Sequence, residues 1–194
     1  GDVNGDGYHD ILVGSPEQQN LSGLNTGAIH LFTGYPTGVS NTASWSFYGD
    51  IDGGEFGSRV DAAGDIDQDG FTDLAVSELG WVGSDNGKGR VHVFYGNTSL
   101  DGTSTTIDGH QGNLIFGWSI LGVGDANGDG FTDLVIGSSD SQIEISGRGS
   151  IQVHHGSSSG LETTPTRVWT MSTQWTLFGH TLSSIGDVNN DGYP

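Results

Sequence analysis

The sequence has no cysteine, four prolines, one methionine and only five lysine and arginine residues among its 194 residues. Without cysteine, the chain has neither a disulfide framework nor thiol chemistry. It has no apolar run near the roughly 20 residues that a membrane-spanning helix requires. Because so few basic residues form no positively charged patch, the sequence also argues against a nucleic-acid partner.

Acidic residues and glycine, in contrast, are abundant. The 24 aspartates and glutamates bring the formal net charge to −19, and 35 residues are glycine. Half of the acidic residues fall in four short loops, where neighbouring carboxylates repel one another unless a cation is bound. The acidity therefore indicates bound cations rather than a basic partner. Frequent glycine, together with many short apolar runs, is typical of an all-β repeat protein.

The segment GDIDQDGFTDLAV, from Gly64 to Val76, contains the clearest of these loops. Carboxylates stand at alternating positions, a glycine permits a sharp turn, and Asp73 precedes an apolar run. Hard oxygen ligands in this number suit Ca²⁺, with the carbonyl of Phe71 as a further ligand. An EF-hand loop is excluded, because that loop has glutamate at position 12 and lies between helices. Position 12 here is Val76, so the segment predicts a calcium loop on a β-turn.

Three further copies of this loop begin at Gly1, Gly124 and Gly186. The first aspartates of successive copies are 63, 60 and 62 residues apart, and the last copy ends before its closing aspartate. A repeat of this length predicts supersecondary units that pack on their neighbours. We expect one segment over 1–194, with units at about 1–55, 56–115 and 116–177 and the start of a fourth at 178–194.

From each complete loop to the next there are four short apolar segments separated by turns. After the second loop they are TDLAVSE, GRVHVFYG from Gly89, a weaker segment near Ser104, and IFGWSILGVGD from Ile115, which leads into the next loop. Four short strands in about 60 residues are typical of a propeller blade. The predicted fold class is therefore all-β, a β-propeller of four-stranded blades.

The positions of the loops predict twelve strands in the chain: three of one blade, two complete blades and the first strand of another. Propellers close with about four to eight blades, so about three blades leave open edges. We expect the chain to be part of a larger propeller of about six or seven blades. The ring is then completed by the remaining blades of the same propeller or by further copies of this chain.

A Phe-Gly pair precedes the first aspartate of a loop by nine residues, at Phe56, Phe116 and Phe178. Together with the strand that ends in Gly-Ser-Pro at residues 14–16 and the interposed loops, these pairs resemble FG-GAP repeats. Such repeats are the blades of integrin α-subunit propellers and of many bacterial surface and secreted proteins. The resemblance covers essentially the whole chain.

The resemblance implies one Ca²⁺ in each complete loop, three in all, and a fourth, partial site. The chain departs from the family pattern at Ser77-Glu78 and Ser138-Ser139, where the Gly-Ala-Pro-like strand ending is degraded. The implied ligands are Asp2, Asn4, Asp6 and Asp10 with the carbonyl of Tyr8; Asp65, Asp67, Asp69 and Asp73 with that of Phe71; Asp125, Asn127, Asp129 and Asp133 with that of Phe131; and Asp187, Asn189 and Asp191.

Two roles are open to such ions. An ion can staple the turn of a blade, or it can keep an open position for a carboxylate or sugar hydroxyl of a partner. All side-chain ligands of a loop come from one continuous segment that includes a closing aspartate. This arrangement favours the structural role.

Histidine and tryptophan offer further candidates. His30 and His92 occupy equivalent strand positions, so we interpret them as packing residues. A ligand role for His154 and His155 is disfavoured. Trp45 and Trp169 are expected to pack between blades, whereas the other tryptophans, which are placed in or beside loops, favour core or rim packing over a binding surface. These are Trp81, Trp118 and Trp175.

No nucleophile elbow, phosphate loop or nucleophile with an adjacent base is present, so no enzymatic activity is expected. The preferred function is a calcium-stabilised adhesion or recognition module for protein or glycan, at the cell surface or outside the cell, where calcium is abundant enough to fill low-affinity sites. Two alternatives remain. One is an accessory propeller of a secreted enzyme whose catalytic residues lie outside this chain. The other is a self-assembling component of a surface filament.

Overall fold

A computed structural model of the chain describes residues 1–84, 88–110, 115–139, 149–171 and 177–188. These residues form thirteen strands and no helix, and therefore no helix that could cross a membrane. The predicted all-β class is confirmed. The strands are β1 (Ile11–Ser15), β2 (Ala28–Phe32), β3 (Gly34–Tyr35), β4 (Gly38–Val39), β5 (Trp45–Tyr48), β6 (Phe56–Gly64), β7 (Asp73–Val82), β8 (Lys88–Phe94), β9 (Ser104–Asp108), β10 (Ile115–Gly124), β11 (Asp133–Ser139), β12 (Gly149–His154) and β13 (Arg167–Thr170).

The strands form three antiparallel units in chain order. The first unit has the order β1-β2-β5, and β3 and β4 make a separate two-stranded hairpin beside it. The second unit has the order β6-β7-β8-β9 and the third β10-β11-β12-β13. A single parallel bridge between Ile115 and Lys88 joins the second and third units into one continuous sheet. Each unit is therefore one antiparallel set of strands, and the three units succeed one another along the sequence.

Apolar residues fill the space between successive units. Between the first two, the ring of Phe94 lies 5.0 Å from that of Phe47 and 5.6 Å from that of Trp45, and Phe56 is fully buried beside them. Between the second and third, Phe116 and a group of aliphatic side chains form a separate core cluster. Full burial of one such side chain contributes about 1.5–3 kcal/mol. Contact between the units, rather than a single central core, therefore stabilises the fold.

The Phe-Gly pairs lie where two units meet. Phe56 and Phe116 are buried, and the backbone of each is covered by a glycine of the preceding unit, Gly27 and Gly89. A Cβ atom at either glycine would overlap the carbonyl oxygen of the facing phenylalanine. The recurrence of phenylalanine and glycine follows from this close contact between backbones.

The degraded strand endings also have a structural explanation. The hydroxyl of Ser77 donates a 2.6 Å hydrogen bond to the carbonyl of Gly117 in the next Phe-Gly pair. Glu78 is buried, and its Oε2 lies 3.0 Å from Nε2 of His92. Polar contacts therefore occupy the positions at which the family pattern has small or apolar residues.

Residues 177–188, the described part of the expected fourth unit, form no strand. The strand predicted there is wrong for these residues. In the second and third units, the Phe-Gly strand pairs with the strand after its loop, and the described residues contain no equivalent partner strand for residues 177–188. The segment instead contacts β10, where Ser119 Oγ donates to the carbonyl of Gly179 at 2.6 Å and Trp118 Nε1 donates to His180 Nε2 at 3.3 Å.

Trp45 and Trp81 are packed as expected, whereas Trp169 is not. Trp45 packs between units as predicted, but Trp169 is 49% exposed, so that part of the prediction is wrong. No unit within the described residues follows β13 to cover its side chain. Trp81 lies inside β7 rather than in a loop and is buried under the guanidinium of Arg90, 4.3 Å from the ring centroid. Trp175 lies outside the described residues.

Candidate metal site

The second loop joins β6 to β7 and brings three carboxylates together. One oxygen each of Asp65, Asp67 and Asp73 can be chosen so that all lie within 4.8 Å of one another. Asp73 is fully buried at the start of β7, whereas Asp65 and Asp67 are partly exposed. Three oxygens at this separation form a donor set of the kind that Ca²⁺ prefers.

The loop folds around the carboxylate of its first aspartate. Asp65 accepts the backbone N–H groups of Asp69 at 3.1 Å and Gly70 at 3.0 Å, and Asp69 accepts that of Phe71 at 3.0 Å. Aspartate favours such turns because its short side chain reaches the backbone a few residues onward. The alternating aspartates therefore fix the turn as well as the positions of their own oxygens.

The first and third loops have the same internal hydrogen bonds. Asp2 accepts the N–H of Gly7 at 2.9 Å, and Asp125 accepts that of Gly130 at 2.8 Å. Tyr8 and Phe131 occupy the position of Phe71 and donate their N–H groups in the same way. All three complete loops thus share this turn, but among the described residues three carboxylates come within 4.8 Å of one another only in the second loop.

The second position of the loop differs between the copies. It is Asp67 in the second loop but asparagine in the other two, where Nδ2 of Asn4 donates to Asp6 at 3.0 Å and Nδ2 of Asn127 donates to Asp129 at 2.8 Å. These amides reduce the negative charge and link to the neighbouring carboxylate. The second loop is therefore the most negatively charged of the three.

The closing aspartate of each loop connects three parts of its unit. One carboxylate oxygen accepts an N–H from the start of the loop. The other accepts an N–H that follows the second strand after the loop, and each oxygen keeps a second lone pair. The acceptors and their donors are Asp10 with Val3 (2.9 Å) and Gly34 (2.9 Å), Asp73 with Ile66 (2.8 Å) and Gly96 (2.8 Å), and Asp133 with Ala126 (3.0 Å) and Gly156 (3.2 Å).

Burial raises the pKa of Asp73 to about 7. Hydrogen bonds from Gly96 and Ile66 oppose this shift, and the charges of Asp67 and Asp69 add to it. Burial, followed by repulsion from Asp69, also raises the pKa of Asp67. A nearby positive charge would favour the ionised form of both carboxyls.

The fourth predicted site is only partly described. Asp187 lies in the described range, whereas Asn189 and Asp191 lie outside it. Asp187 makes an interaction within the structure.

Two histidines, His154 and His155, lie near the third loop. His155 Nδ1 lies 3.0 Å from Oδ1 of the closing Asp133, although the direction does not suit a hydrogen bond. His154 is fully buried, with Nδ1 2.9 Å from the carbonyl oxygen of Glu162 and no partner for Nε2 among the described residues. In the sequence, these two positions stand out only because the second unit has Phe94 and Tyr95 there.

The histidines interpreted as packing residues have partners within their own units. His92 contacts Glu78, and His30 Nε2 lies 2.7 Å from Oε1 of Gln18 while Nδ1 lies 2.8 Å from Oγ of Ser46. Both therefore belong to the hydrogen-bonded interior of a unit.

Comparison with known proteins accords with the repeat. The family model for the FG-GAP repeat matches residues 1–32, 56–94 and 116–154. The matched ranges contain the three complete loops and the strands that follow them.

Similar proteins include integrin alpha-IIb of Homo sapiens, with 34% identity over 70% of this chain and 14% of the relative. Integrin alpha-6 of Gallus gallus is 30% identical over 74% of this chain and 13% of the relative. Phosphatidylinositol-glycan-specific phospholipase D of Bos taurus is 34% identical over 71% of this chain and 17% of the relative. The chain thus spans less than a fifth of each of these relatives. Its antiparallel units are β-propeller blades, and the chain belongs to the FG-GAP repeat family.

Proposed function

We propose that the chain is a calcium-stabilised, non-catalytic recognition module that acts at the cell surface or outside the cell and binds a protein or glycan. The observation that carries the calcium assignment is the group of Asp65, Asp67 and Asp73, whose buried member has a pKa raised to about 7. Burying a carboxylate beside two others is unfavourable unless a positive charge accompanies it. A divalent cation with oxygen ligands meets that requirement.

Bound Ca²⁺ supplies the positive charge that offsets repulsion between the carboxylates of a loop. Within the chain, Asp65 and Asp69 already hold the turn through backbone hydrogen bonds, and Asp73 ties the loop to the end of β8 through Gly96. The proposed ligands in the other loops are the equivalent aspartates, Asn4 and Asn127, with the carbonyls of the residues equivalent to Phe71. The loops therefore join neighbouring strands and stabilise each blade.

The loop between β1 and β2 supports recognition of a partner. Its Leu21 is completely exposed and Leu24 is 41% exposed. The loop has a defined shape, because Asn20 Oδ1 accepts the N–H groups of Ser22 at 2.9 Å and Leu24 at 3.2 Å. An ordered loop that presents two leucines to solvent favours a protein partner. The similarity to integrin alpha subunits favours adhesion as the class of function.

Calcium binding is tested by thermal unfolding and by calorimetric titration of the chelated chain. We expect three bound ions and a Tm that falls by several degrees on chelation. Asp67→Asn should weaken binding to the second loop, while Asp50→Asn, which removes the same charge at an exposed position outside the loops, should leave binding unchanged. An unchanged Tm on chelation with no heat of binding would contradict the calcium assignment.

Recognition is tested with immobilised panels of extracellular proteins and glycans. The Leu21→Ser variant should bind a protein partner more weakly than the native chain, since the substitution removes an exposed apolar side chain. Equal binding by both would place the contact elsewhere. Binding confined to glycans would argue against a leucine-mediated protein contact.

The second candidate function is that of an accessory propeller in a secreted enzyme. It is favoured by the similarity to phosphatidylinositol-glycan-specific phospholipase D, of which the chain covers 17%. The two candidates are distinguished by the full-length parent protein. A catalytic domain beside these repeats, with activity that falls when the repeats are deleted, would favour the accessory role.

A further inference from the structure

The side chain of Gln68, in the second loop, reaches into the third loop. Its Nε2 donates a 2.6 Å hydrogen bond to the carbonyl oxygen of Gly130. The peptide group that carries this carbonyl also carries the N–H of Phe131, which donates to Asp129 Oδ1 at 3.0 Å. One side chain therefore connects the second loop to a carboxylate of the third.

The same residue is tied to carboxylates within its own loop. Gln68 lies between Asp67 and Asp69, and the peptide group that follows it donates the N–H of Asp69 to Asp65 Oδ1 at 3.1 Å. A single peptide group thus separates Gln68 from a predicted ligand on each side of the loop junction. These bonds form a continuous path between carboxylates of the second and third loops.

A glutamine at this position is conformationally unfavourable. The first and third loops have Gly5 and Gly128 here, with φ of 72° and 80°, and Gln68 adopts φ of 63°. A Cβ atom disfavours this left-handed conformation, and Gln68 is exposed, so burial offers no compensation. Strain of this kind in a residue that makes a specific long-range contact points to a function for that contact.

The junction between the first and second loops provides a natural comparison. A backbone hydrogen bond is present at both junctions: Thr72 N–H donates to Asp2 O at 2.9 Å, and Thr132 N–H donates to Asp65 O at 3.1 Å. The side-chain links differ between the junctions: Gln68 Nε2 donates to Gly130 O at the second, whereas at the first Gly5 has no side chain and Thr72 Oγ1 accepts the N–H of Asp2 at 3.2 Å. The contribution of Gln68 to coupling is therefore isolated by substituting this residue.

We propose that Gln68 couples cation binding in the second and third loops, so that an ion in one raises the affinity of the other. The proposal rests on the proposed calcium function. Coupling of this kind is reciprocal, because the two binding free energies share one interaction term. The first loop should bind its ion independently of this link.

The experiment is a double-mutant cycle in the 194-residue chain, followed by ¹⁵N NMR during Ca²⁺ titration. The amides of Phe71 and Phe131 report the second and third loops, and that of Tyr8 reports the first. Asp67→Asn removes a negative charge from the second loop, and the Phe71 amide verifies that the Ca²⁺ affinity of this loop falls. Gln68→Gly removes the link and gives this position the residue found in the other loops. We expect Asp67→Asn to lower the third loop's affinity by on the order of fivefold and to have no such effect in the Gln68→Gly background. Without calcium, Gln68→Gly alone should shift the Phe131 amide.

The outcomes separate the two proposals. Suppose that all native loops bind Ca²⁺ but Asp67→Asn leaves the affinity of the third loop unchanged, or lowers it equally in the Gln68→Gly background. The coupling proposal is then overturned and the calcium assignment stands. If no loop of the native chain responds to Ca²⁺, both are overturned. An equal effect of Gln68→Gly on the first loop would also count against a specific link.

Discussion

The hydroxyl of Ser77 donates a 2.6 Å hydrogen bond to the carbonyl oxygen of Gly117, 40 residues further along the chain. Both residues are buried, and they belong to successive units. Gly117 is the glycine of a Phe-Gly pair, so this bond holds the next pair against the middle of β7. Where the family pattern has a small or apolar residue, the second unit therefore has a hydrogen bond between units.

Ser77→Ala should destabilise the chain. The substitution keeps the Cβ atom but leaves the buried carbonyl of Gly117 without its side-chain donor, which costs about 1–3 kcal/mol. The free energy of unfolding, measured in denaturant with Ca²⁺ present, should fall by that amount. Ser22→Ala, in an exposed loop, is the control and should change it by less than about 0.5 kcal/mol. Equal effects of the two would show that the inter-unit bond contributes nothing.

Two glycines with similar φ angles separate backbone strain from close packing. Gly89 has φ of 79° and Gly53 has φ of 73°, but a Cβ at Gly89 would overlap Phe116 whereas one at Gly53 meets nothing within 4 Å. Gly53→Ala should cost about 1–2 kcal/mol from strain alone. Gly89→Ala should cost at least about 1–3 kcal/mol more, because the backbone of the next unit must move. Equal losses in thermal unfolding would count against tight packing at the Phe-Gly pair.

The sequence was sufficient to predict the elements that depend on neighbouring residues. The loops and the strands beside them follow from alternating aspartates, glycine and short apolar runs, as the internal hydrogen bonds of Asp65 and Asp125 illustrate. The equivalence of the repeats also indicated which positions correspond, such as Phe56 and Phe116. Local chemistry recurs in each copy, so each copy supports the interpretation of the others.

The sequence was not sufficient to predict contacts between units. Gln68 bonds to Gly130 over 62 residues, and Ser77 to Gly117 over 40. Such contacts depend on how two sheets are placed against each other, which periodicity within one unit does not specify. The strand expected near Phe178 is not formed in the described residues for a related reason. A strand requires a neighbouring strand to pair with as well as a suitable sequence.

Acid should destabilise the chain through His154. Burial lowers the pKa of this histidine below its usual 6.5, and the charge of His155 acts in the same direction, against the hydrogen bond to Glu162. Between pH 6.5 and the lower folded pKa, the unfolded chain therefore binds a proton that the folded chain does not, and stability falls as the pH falls. One such group changes the free energy of unfolding by at most about 1.4 kcal/mol per pH unit.

His154→Phe isolates this contribution, because phenylalanine occupies the same position in the first two units, at Phe32 and Phe94. The difference in unfolding free energy between variant and native chain should grow as the pH is lowered from about 7.5 to about 5.5. Titration of the loop carboxylates affects both proteins and cancels in this difference. A difference that stays constant with pH would show that His154 titrates alike in the folded and unfolded chain.

The buried pair of Glu78 and His92 should show strong energetic coupling. Their side chains are only 3% and 14% exposed, and Phe56 packs edge-on against the imidazole at 5.0 Å. Removing one partner leaves the other buried without its contact, which costs about 3–5 kcal/mol for a charged group. The third unit has Ser138 and Gln152 at these positions, so it provides a natural replacement for both.

Glu78→Ser and His92→Gln should therefore each destabilise the chain more than half as much as the double variant does. The single variants leave one polar group unpaired, whereas the double variant reproduces a combination that the fold already accommodates in its third unit. A coupling energy of at least about 1 kcal/mol is expected from the double-mutant cycle in denaturant. Additive losses would show that the two side chains act independently. The interior of the second unit would then owe its stability to Phe56 and its apolar neighbours rather than to the polar pair.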